Sequence, residues 1–280
     1  MKLSNFWIRT LTGILFLVIM VFGIIWDRAI FTCLFGIILT VALGEFYKMA
    51  LGTRFRFRFQ QRLGVMTGIA AFLLVAAYCF FGWDLRWLVI ALIPLLLIPV
   101  SCLFLPSREG FGDLAYIYAG LLYIALPISL SPLLMMDGDV YDGWFLLSLF
   151  IMIWCSDVGA YCIGTAFGQK PNSRKLAPSI SPKKSWWGFW GGLFFCVGAA
   201  IGLHYLTWLP FPLLHCIVLG LIVGAGGVCG DLFESIWKRH FGVKDSGNCI
   251  PGHGGMLDRF DSSLVAIPMA CVYLSIVGLL

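Results

Sequence analysis

The sequence predicts an all-α polytopic membrane protein of about nine transmembrane helices, N-terminus cytoplasmic and C-terminus on the opposite side. Three observations carry that reading. Of 280 residues, 60% are hydrophobic and only 12% charged, with a mean hydropathy of +0.94, whereas a soluble domain carries about 25% charged residues. Nine apolar runs approach the roughly 20 residues that a bilayer core requires. Placing the intervening loops on alternate sides then puts 17 of the 19 Lys and Arg on the side of the N-terminus, leaving Arg28 and Arg86 on the other. That asymmetry is the positive-inside pattern.

The runs fall at about 10–26, 29–49, 63–82, 86–105, 114–135, 144–166, 186–206, 211–230 and 262–280. The first follows Lys2 and Arg9 and is not succeeded by a small-residue cleavage site, so it reads as a retained anchor rather than a signal peptide. Pro94, Pro99, Pro127 and Pro132 interrupt the fourth and fifth runs; proline kinks a membrane helix without ending it. Trp26, Trp83, Trp87, Trp144 and Trp208 gather near helix ends on the less basic side, as an interfacial belt does, and the acidic loop of Asp137, Asp139 and Asp142 falls there too. The alternating Arg54–Phe59 run sits at the cytoplasmic headgroup level, where basic side chains meet anionic lipid. No soluble module accompanies it, which speaks against a nucleic-acid partner.

Two regions follow. Residues 1–143 hold about five N-terminal helices, and residues 144–280 hold a catalytic membrane region with cytoplasmic loops 167–185 and 231–261. The ten cysteines include no C-x-x-C pair and lie mostly inside apolar runs, so they read as small buried hydrophobes. Gly188/Gly192, Gly198/Gly202, Gly220/Gly224 and Gly226/Gly230 have the spacing for close helix packing; they also allow a homodimer.

The chemistry-bearing residues concentrate in three places on the basic side. Asp231, Glu234 and Ser235 share one helical face at the end of the eighth run, and Asp258 and Asp261, three apart, precede the ninth. Carboxylates that converge repel unless a cation lies between them, and an all-oxygen set suits magnesium. Helix capping is the competing role for Asp258 and Asp261. Before them, Pro251-Gly252-His253-Gly254-Gly255 permits a tight loop whose backbone N–H groups can face an anion; His253 is open to three roles, phosphate donor, base or loop support. The segment Gly168–Ser185 has five cations and no acid, with Ser181-Pro182-Lys183-Lys184-Ser185 at the start of a helix, suited to a triphosphate. Asp157 lies in mid-helix, where a carboxylate is costly unless it faces a polar cavity. Glu45 reads as a partner for Lys48 one turn away. There is neither a Walker A loop nor an H-E-x-x-H pattern.

Taken together, Ser235, Lys238-Arg239, Lys244-Asp245, His253-Gly254-Gly255, Asp258-Arg259 and Asp261 resemble the signature of the phosphatidate cytidylyltransferases (CDP-diacylglycerol synthases), with matching spacing throughout. Asp157, Ala160-Tyr161, Gly164 and Ser181–Ser185 resemble that family's second conserved region, so the likeness covers roughly residues 150–262. Two positions depart from the pattern. Trp237 stands where a smaller apolar residue is usual, and Trp187 replaces the glutamate of a Trp-Glu-Gly sequence.

The resemblance implies transfer of CMP from CTP to phosphatidic acid, giving CDP-diacylglycerol and pyrophosphate for phospholipid synthesis. It implies magnesium on Asp231, Asp258 and Asp261, with room for a second cation. Asp157, Lys183, Lys184, Lys238, Arg239, His253 and Arg259 become the catalytic set, and Ser181, Lys183, Lys184, Lys244, Gly254 and Gly255 the substrate-binding set. A compact chain of this kind points to the bacterial inner (cytoplasmic) membrane, with the site facing the cytoplasm. Three other functions are weighed. A CTP-dependent lipid-alcohol kinase would leave cytosine in water. A cytidylyltransferase for another lipid phosphate would share this site. A transporter would place its polar residues near the midplane rather than in two cytoplasmic loops.

Overall fold

The computed structural model describes residues 5–52, 57–105, 111–137, 140–170 and 173–280. Among them, eight helices are long and apolar enough to cross a membrane, with a shorter apolar helix at Arg9–Ile25. The all-α membrane architecture expected from the sequence is therefore present. Arg54, Arg56, Arg108 and Asp139 lie outside the described residues.

The chain divides into two compact units. The first comprises Met1–Tyr141 with Phe241–Arg259, and the second Asp142–His240 with Phe260–Leu280. The segment carrying most of the signature motif thus belongs to the N-terminal unit.

In the first unit, α1 (Asn5–Ile25), α2 (Arg28–Leu51) and α3 (Arg58–Phe81) are regular helices. Asp27 caps α2 by accepting from the Ala29 amide at 2.7 Å. The proline-bearing runs are less regular. Leu85–Ala91 is a 3₁₀ segment leading into α4 (Leu92–Cys102). The fifth run is a relay of 3₁₀ turn, α5 (Ala115–Gly120), one π turn (Leu121–Ala125), α6 (Leu126–Leu130) and a final 3₁₀ turn, followed by the short antiparallel strands β1 (Met136–Asp137) and β2 (Val140–Tyr141). Pro127 and Pro132 bend it without ending it, because local 3₁₀ and π turns keep the backbone bonded. Tyr47, fully buried, donates its hydroxyl to the Ile117 carbonyl at 3.0 Å. Gly64 and Gly120 leave it room; a Cβ at either would come within 2.7 Å of its ring or hydroxyl.

The second unit is α7 (Trp144–Phe167), a hairpin of β3 (Lys175–Ala177) and β4 (Ser181–Ser185), α8 (Trp186–Tyr205), α9 (Leu213–His240) and α11 (Ser263–Ile276). The short α10 (Leu257–Phe260) precedes α11. Two details go beyond the sequence reading. Within the connection 167–185, Lys175–Ala177 and Ser181–Ser185 pair as an antiparallel hairpin whose last residue, Ser185, caps α8 by accepting from the Gly188 amide at 3.2 Å. The eighth helix, whose apolar run ends at about 230, continues through Asp231, Glu234 and Ser235 to His240. Its polar extension is held by the Lys238–Glu234 pair one turn apart and ends in three basic residues, which suit a helix C-terminus.

Glycine sets the spacing of this unit. A Cβ on Gly192 of α8 would lie 2.9 Å from the Ser156 carbonyl of α7, and one on Gly188 would lie 3.1 Å from that of Ala160. On α9, a Cβ on Gly220 would meet the Val197 backbone at 3.0 Å, and one on Gly230 the Asp261 carbonyl at 2.3 Å. Gly198 and Gly202 differ: nothing lies within 4 Å of where a Cβ would stand. Three of the four glycine pairs thus pack within the chain. Gly192→Ala is expected to cost about 1–3 kcal/mol through overpacking against backbone. Gly202→Ala is expected to be neutral or to stabilise by up to about 1 kcal/mol through helix propensity. Thermal unfolding of the two variants in detergent checks the contrast.

Candidate active site

In the second unit, α7, α8, α9 and the hairpin enclose a cavity of about 630 Å³. Ser156, Ala160 and Gly164 are on the α7 face that lies flush on α8. Asp157, Tyr161 and Thr165 line the cavity beside them. The hairpin contributes Lys183 and Lys184, and α9 contributes Asp231. The remaining wall is largely apolar: Leu176, Phe189, Val228 and the glycines at 188 and 227. Charged groups set into an apolar wall suit a molecule with a phosphate at one end and hydrocarbon at the other.

The lysines are held by local bonding. Gln169 donates its side-chain amide to the Lys183 carbonyl at 3.0 Å. Lys175 donates to the Gly168 carbonyl at 2.9 Å and to the Gln169 amide oxygen at 3.1 Å. These bonds tie β3 and β4 to the end of α7. Lys184 Nζ then stands 2.5 Å from Asp231 Oδ2. Ser235 donates its hydroxyl to the other oxygen of Asp231 at 3.5 Å. Asp261 accepts from the Ser262 amide at 2.6 Å, and its charged neighbours are Asp231, Lys238 and Asp157. Lys238 pairs with the fully buried Glu234. Arg239 is exposed near the end of α9. Ser181 begins β4 and pairs with Ala177; the cavity wall on that strand is formed by Lys183, Lys184 and Ser185.

In the first unit, the signature segment folds around its own carboxylates. Asp258 Oδ2 accepts from the Ser246 amide at 3.0 Å and from the Gly255 amide at 2.8 Å. The Gly255 N–H, a donor the sequence suggested for a substrate anion, therefore faces an internal one. Glu45 of α2 holds the same loop: its Oε2 accepts from the Leu257 amide at 2.9 Å and from the Ser246 hydroxyl at 3.3 Å. The Gly-Gly pair has two separate causes. Gly254 has φ +86°, and a Cβ on Gly255 would come within 2.5 Å of Glu45 and of the Ser246 hydroxyl. Lys244 and Asp245 are exposed on this loop.

His253 is the latch of the segment. Its Nδ1 is 3.0 Å from the Thr12 hydroxyl of α1, and Thr12 donates within reach of the Pro251 carbonyl at 3.1 Å. Arg259 donates to the His253 carbonyl at 2.8 Å. Burial, then the Arg259 charge, holds the imidazole below its ordinary range, partly offset by the Pro251 backbone; Arg9 adds to the lowering.

Sequence reasoning missed Glu45. Its signal was available: a single carboxylate in an apolar helix, which must find donors. The expected partner Lys48 is exposed, and Glu45 turns to the loop instead. Glu45→Ala removes two hydrogen bonds to a charged acceptor, each about 1.5–3 kcal/mol. It is expected to speed amide exchange across residues 245–257 while leaving α2 protected; hydrogen-exchange mass spectrometry reads both.

A magnesium ion is usually held by one or two carboxylates together with substrate phosphates. Asp231 and Asp261 fit that donor set: both are oxygen ligands, and each is the other's like-charged neighbour in the second unit. Among the described residues, no group of three or more His, Cys, Asp or Glu gathers into a preformed metal cage.

A family model for the cytidylyltransferase family matches residues 7–277. The phosphatidate cytidylyltransferase of Bacillus subtilis (strain 168) is 33% identical over 267 residues, covering 93% of this chain and 94% of the relative. That of Staphylococcus aureus (strain COL) is 32% identical over 270 residues, 95% and 98% of the two chains. That of Pseudomonas aeruginosa PAO1 is 33% identical over 275 residues, 96% and 97%. The match therefore spans both units, from α1 through α11, and includes the cavity and the carboxylate-anchored loop. The chain belongs to the cytidylyltransferase family.

Proposed function

We propose that this protein is a membrane-embedded phosphatidate cytidylyltransferase, transferring CMP from CTP to phosphatidic acid with release of pyrophosphate. The observation that carries it is the cavity of the second unit, where Lys183, Lys184, Asp157 and Asp231 are set into a largely apolar wall. Full-length similarity to proteins named for this reaction supports the same reading. A kinase reading gains no such support.

The chemistry is displacement at phosphorus. An oxygen of the lipid phosphate forms a bond to the α-phosphorus of CTP, and the bond from that phosphorus to the β-phosphate oxygen breaks. The lipid phosphate is already anionic, so no strong base is needed; the difficulty is bringing two anions together. Lys183 and Lys184 supply positive charge at the cavity wall. Lys184 is neutralised by Asp231 in this structure, and an entering phosphate exchanges that partner for its own oxygens. Ser235 and Ser262 hold Asp231 and Asp261 while Lys184 moves. Magnesium, held by Asp231 and Asp261, would supply charge neutralisation on the phosphates; a second cation would have the same role. Asp157 keeps the α7 wall polar.

In this reading the basic loops and the site face the cytoplasm, in a bacterial inner membrane. Family resemblance and the positive-inside asymmetry support that orientation. A homodimer would have Gly198 and Gly202 as its surface of closest approach, since none of the described residues lies within 4 Å of a Cβ placed on either.

The test is incubation of purified protein in mixed micelles with phosphatidic acid, magnesium and CTP labelled in the cytosine ring. Label is expected to enter the organic phase, and EDTA to prevent it. Label confined to water, with phosphate reaching lipid, would establish a kinase instead. Asp258→Asn is expected to lower transfer by roughly 100-fold or more, the scale of losing a preorganised charged group, with an unchanged gel-filtration profile in detergent.

Trp187 gives a separate prediction. Its ring is more than half exposed and lies 5.7 Å from that of Phe167 in a tilted contact. Trp187→Glu restores the residue usual in the family and is expected to transfer label at least as fast as the native chain. A large loss would mean that the Phe167 contact has become necessary.

A further inference from the structure

Outside the second-unit cavity, Arg9 remains without an assigned use. The first turns of α1 pack on the signature loop. Thr12 bonds to His253, and Gly13 leaves space for the ring, whose Nε2 would be 3.4 Å from a Cβ there. The stem of Arg9 crosses Gly252: a Cβ on that glycine would come within 2.8 Å of Arg9 Cγ, and its φ of +76° also favours glycine. On the same loop, Arg259 bonds to the His253 carbonyl.

Both guanidinium groups are exposed, and both charges act on the His253 ring. Among the described residues, neither Arg9 nor Arg259 is in an ion pair. Two unpaired cations beside one imidazole repel each other, and an anion between them relieves that repulsion. Asp258 and the α2 residue Glu45 accept from backbone amides of the loop, and the exposed Asp245 is in no ion pair with either arginine. Guanidinium groups match phosphate oxygens by paired N–H donors, which makes a phosphate the fitting anion.

We infer that Arg9, brought onto the signature loop by the Thr12–His253 latch, forms with Arg259 a subsite for a phosphate group of one of the two reactants. The inference rests on the cytidylyltransferase reading for its ligands but not for its geometry. The shared chemistry is a phosphoryl group with two or more free oxygens, carried by the lipid or by the nucleotide. This makes the N-terminal helix part of the binding machinery.

Two measurements test it. In the first, initial rates of native protein, Arg9→Gln and Arg9→Lys are measured with CTP and phosphatidic acid varied in turn. Arg9→Gln is expected to raise one KM by about tenfold, the size of a lost charge-assisted hydrogen bond, with kcat within about twofold; Arg9→Lys raises the same KM less. The substrate whose KM moves identifies the source of the phosphate. Both KM values unchanged in Arg9→Gln, or a fall in kcat alone, would overturn the subsite. If the Gln variant does not accumulate, Arg9→Lys decides: a rise of about threefold or more in one KM upholds it and no change overturns it.

The second measurement needs no turnover, so it stands if the reaction is another. Native protein is treated with phenylglyoxal, alone or with inorganic pyrophosphate or short-chain phosphatidic acid, and modified arginines are located by mass spectrometry. Protection of Arg9 and Arg259 by either anion, with Arg86 as the unprotected control, is expected. Equal modification of Arg9 with and without both anions would overturn the inference.

Discussion

Backbone-to-backbone approach through glycine is the constraint on which the second unit depends. Inside a bilayer, lipid tails are as apolar as leucine, so helices gain little by hiding hydrocarbon from one another. They associate through close packing instead. Gly188 and Gly192 bring α8 against the Ser156 and Ala160 carbonyls, and Gly230 brings α9 against the carbonyl of Asp261. Each contact has a consequence for chemistry. The first sets Asp157 beside the hairpin lysines, and the second sets Asp231 beside Asp261. Had larger residues stood at these positions, the helices would separate and the carboxylates with them.

The first unit solves a different problem, which is how to hold a glycine-rich loop without a regular element. It uses carboxylates as internal anions. Asp258 gathers the Ser246 and Gly255 amides, and Glu45 gathers the Leu257 amide and the Ser246 hydroxyl. A carboxylate accepts several hydrogen bonds at once, so two side chains satisfy a loop that would otherwise leave donors to water. Negative charge is thereby turned inward on the loop, while Lys244 and Arg259 remain exposed. Of the loop's own acids, Asp258 is committed to its backbone and Asp245 is exposed beside Lys244.

The cavity is arranged by the opposite logic. There a lysine and an aspartate, Lys184 and Asp231, neutralise each other at 2.5 Å in a partly buried setting. Removing either partner alone would leave an uncompensated charge. An anionic substrate and a cation can exchange with them at little net change in charge. An ion pair of this kind keeps charged groups stable in a largely apolar wall and gives way when an anion binds.

Much of this was legible in the sequence. The apolar runs announced the helices because the bilayer requires about 20 residues of hydrocarbon-compatible surface, a purely local property. The polar signature announced the family because its residues are close together along the chain. The glycine pairs announced packing, but Gly198/Gly202 has the same spacing as Gly188/Gly192 and meets nothing within 4 Å. Spacing alone cannot tell which face has a partner. Glu45 is separated from Leu257 by 212 positions, and Thr12 from His253 by 241. No local pattern carries such pairings. The sequence by itself determined where the chain enters hydrocarbon and which residues are available for phosphate chemistry, since both follow from side-chain type and short-range order. The tertiary structure alone decided which carboxylates serve the loop and which line the cavity. Carboxylates are alike in the sequence, and only the donors folded against them give each its task.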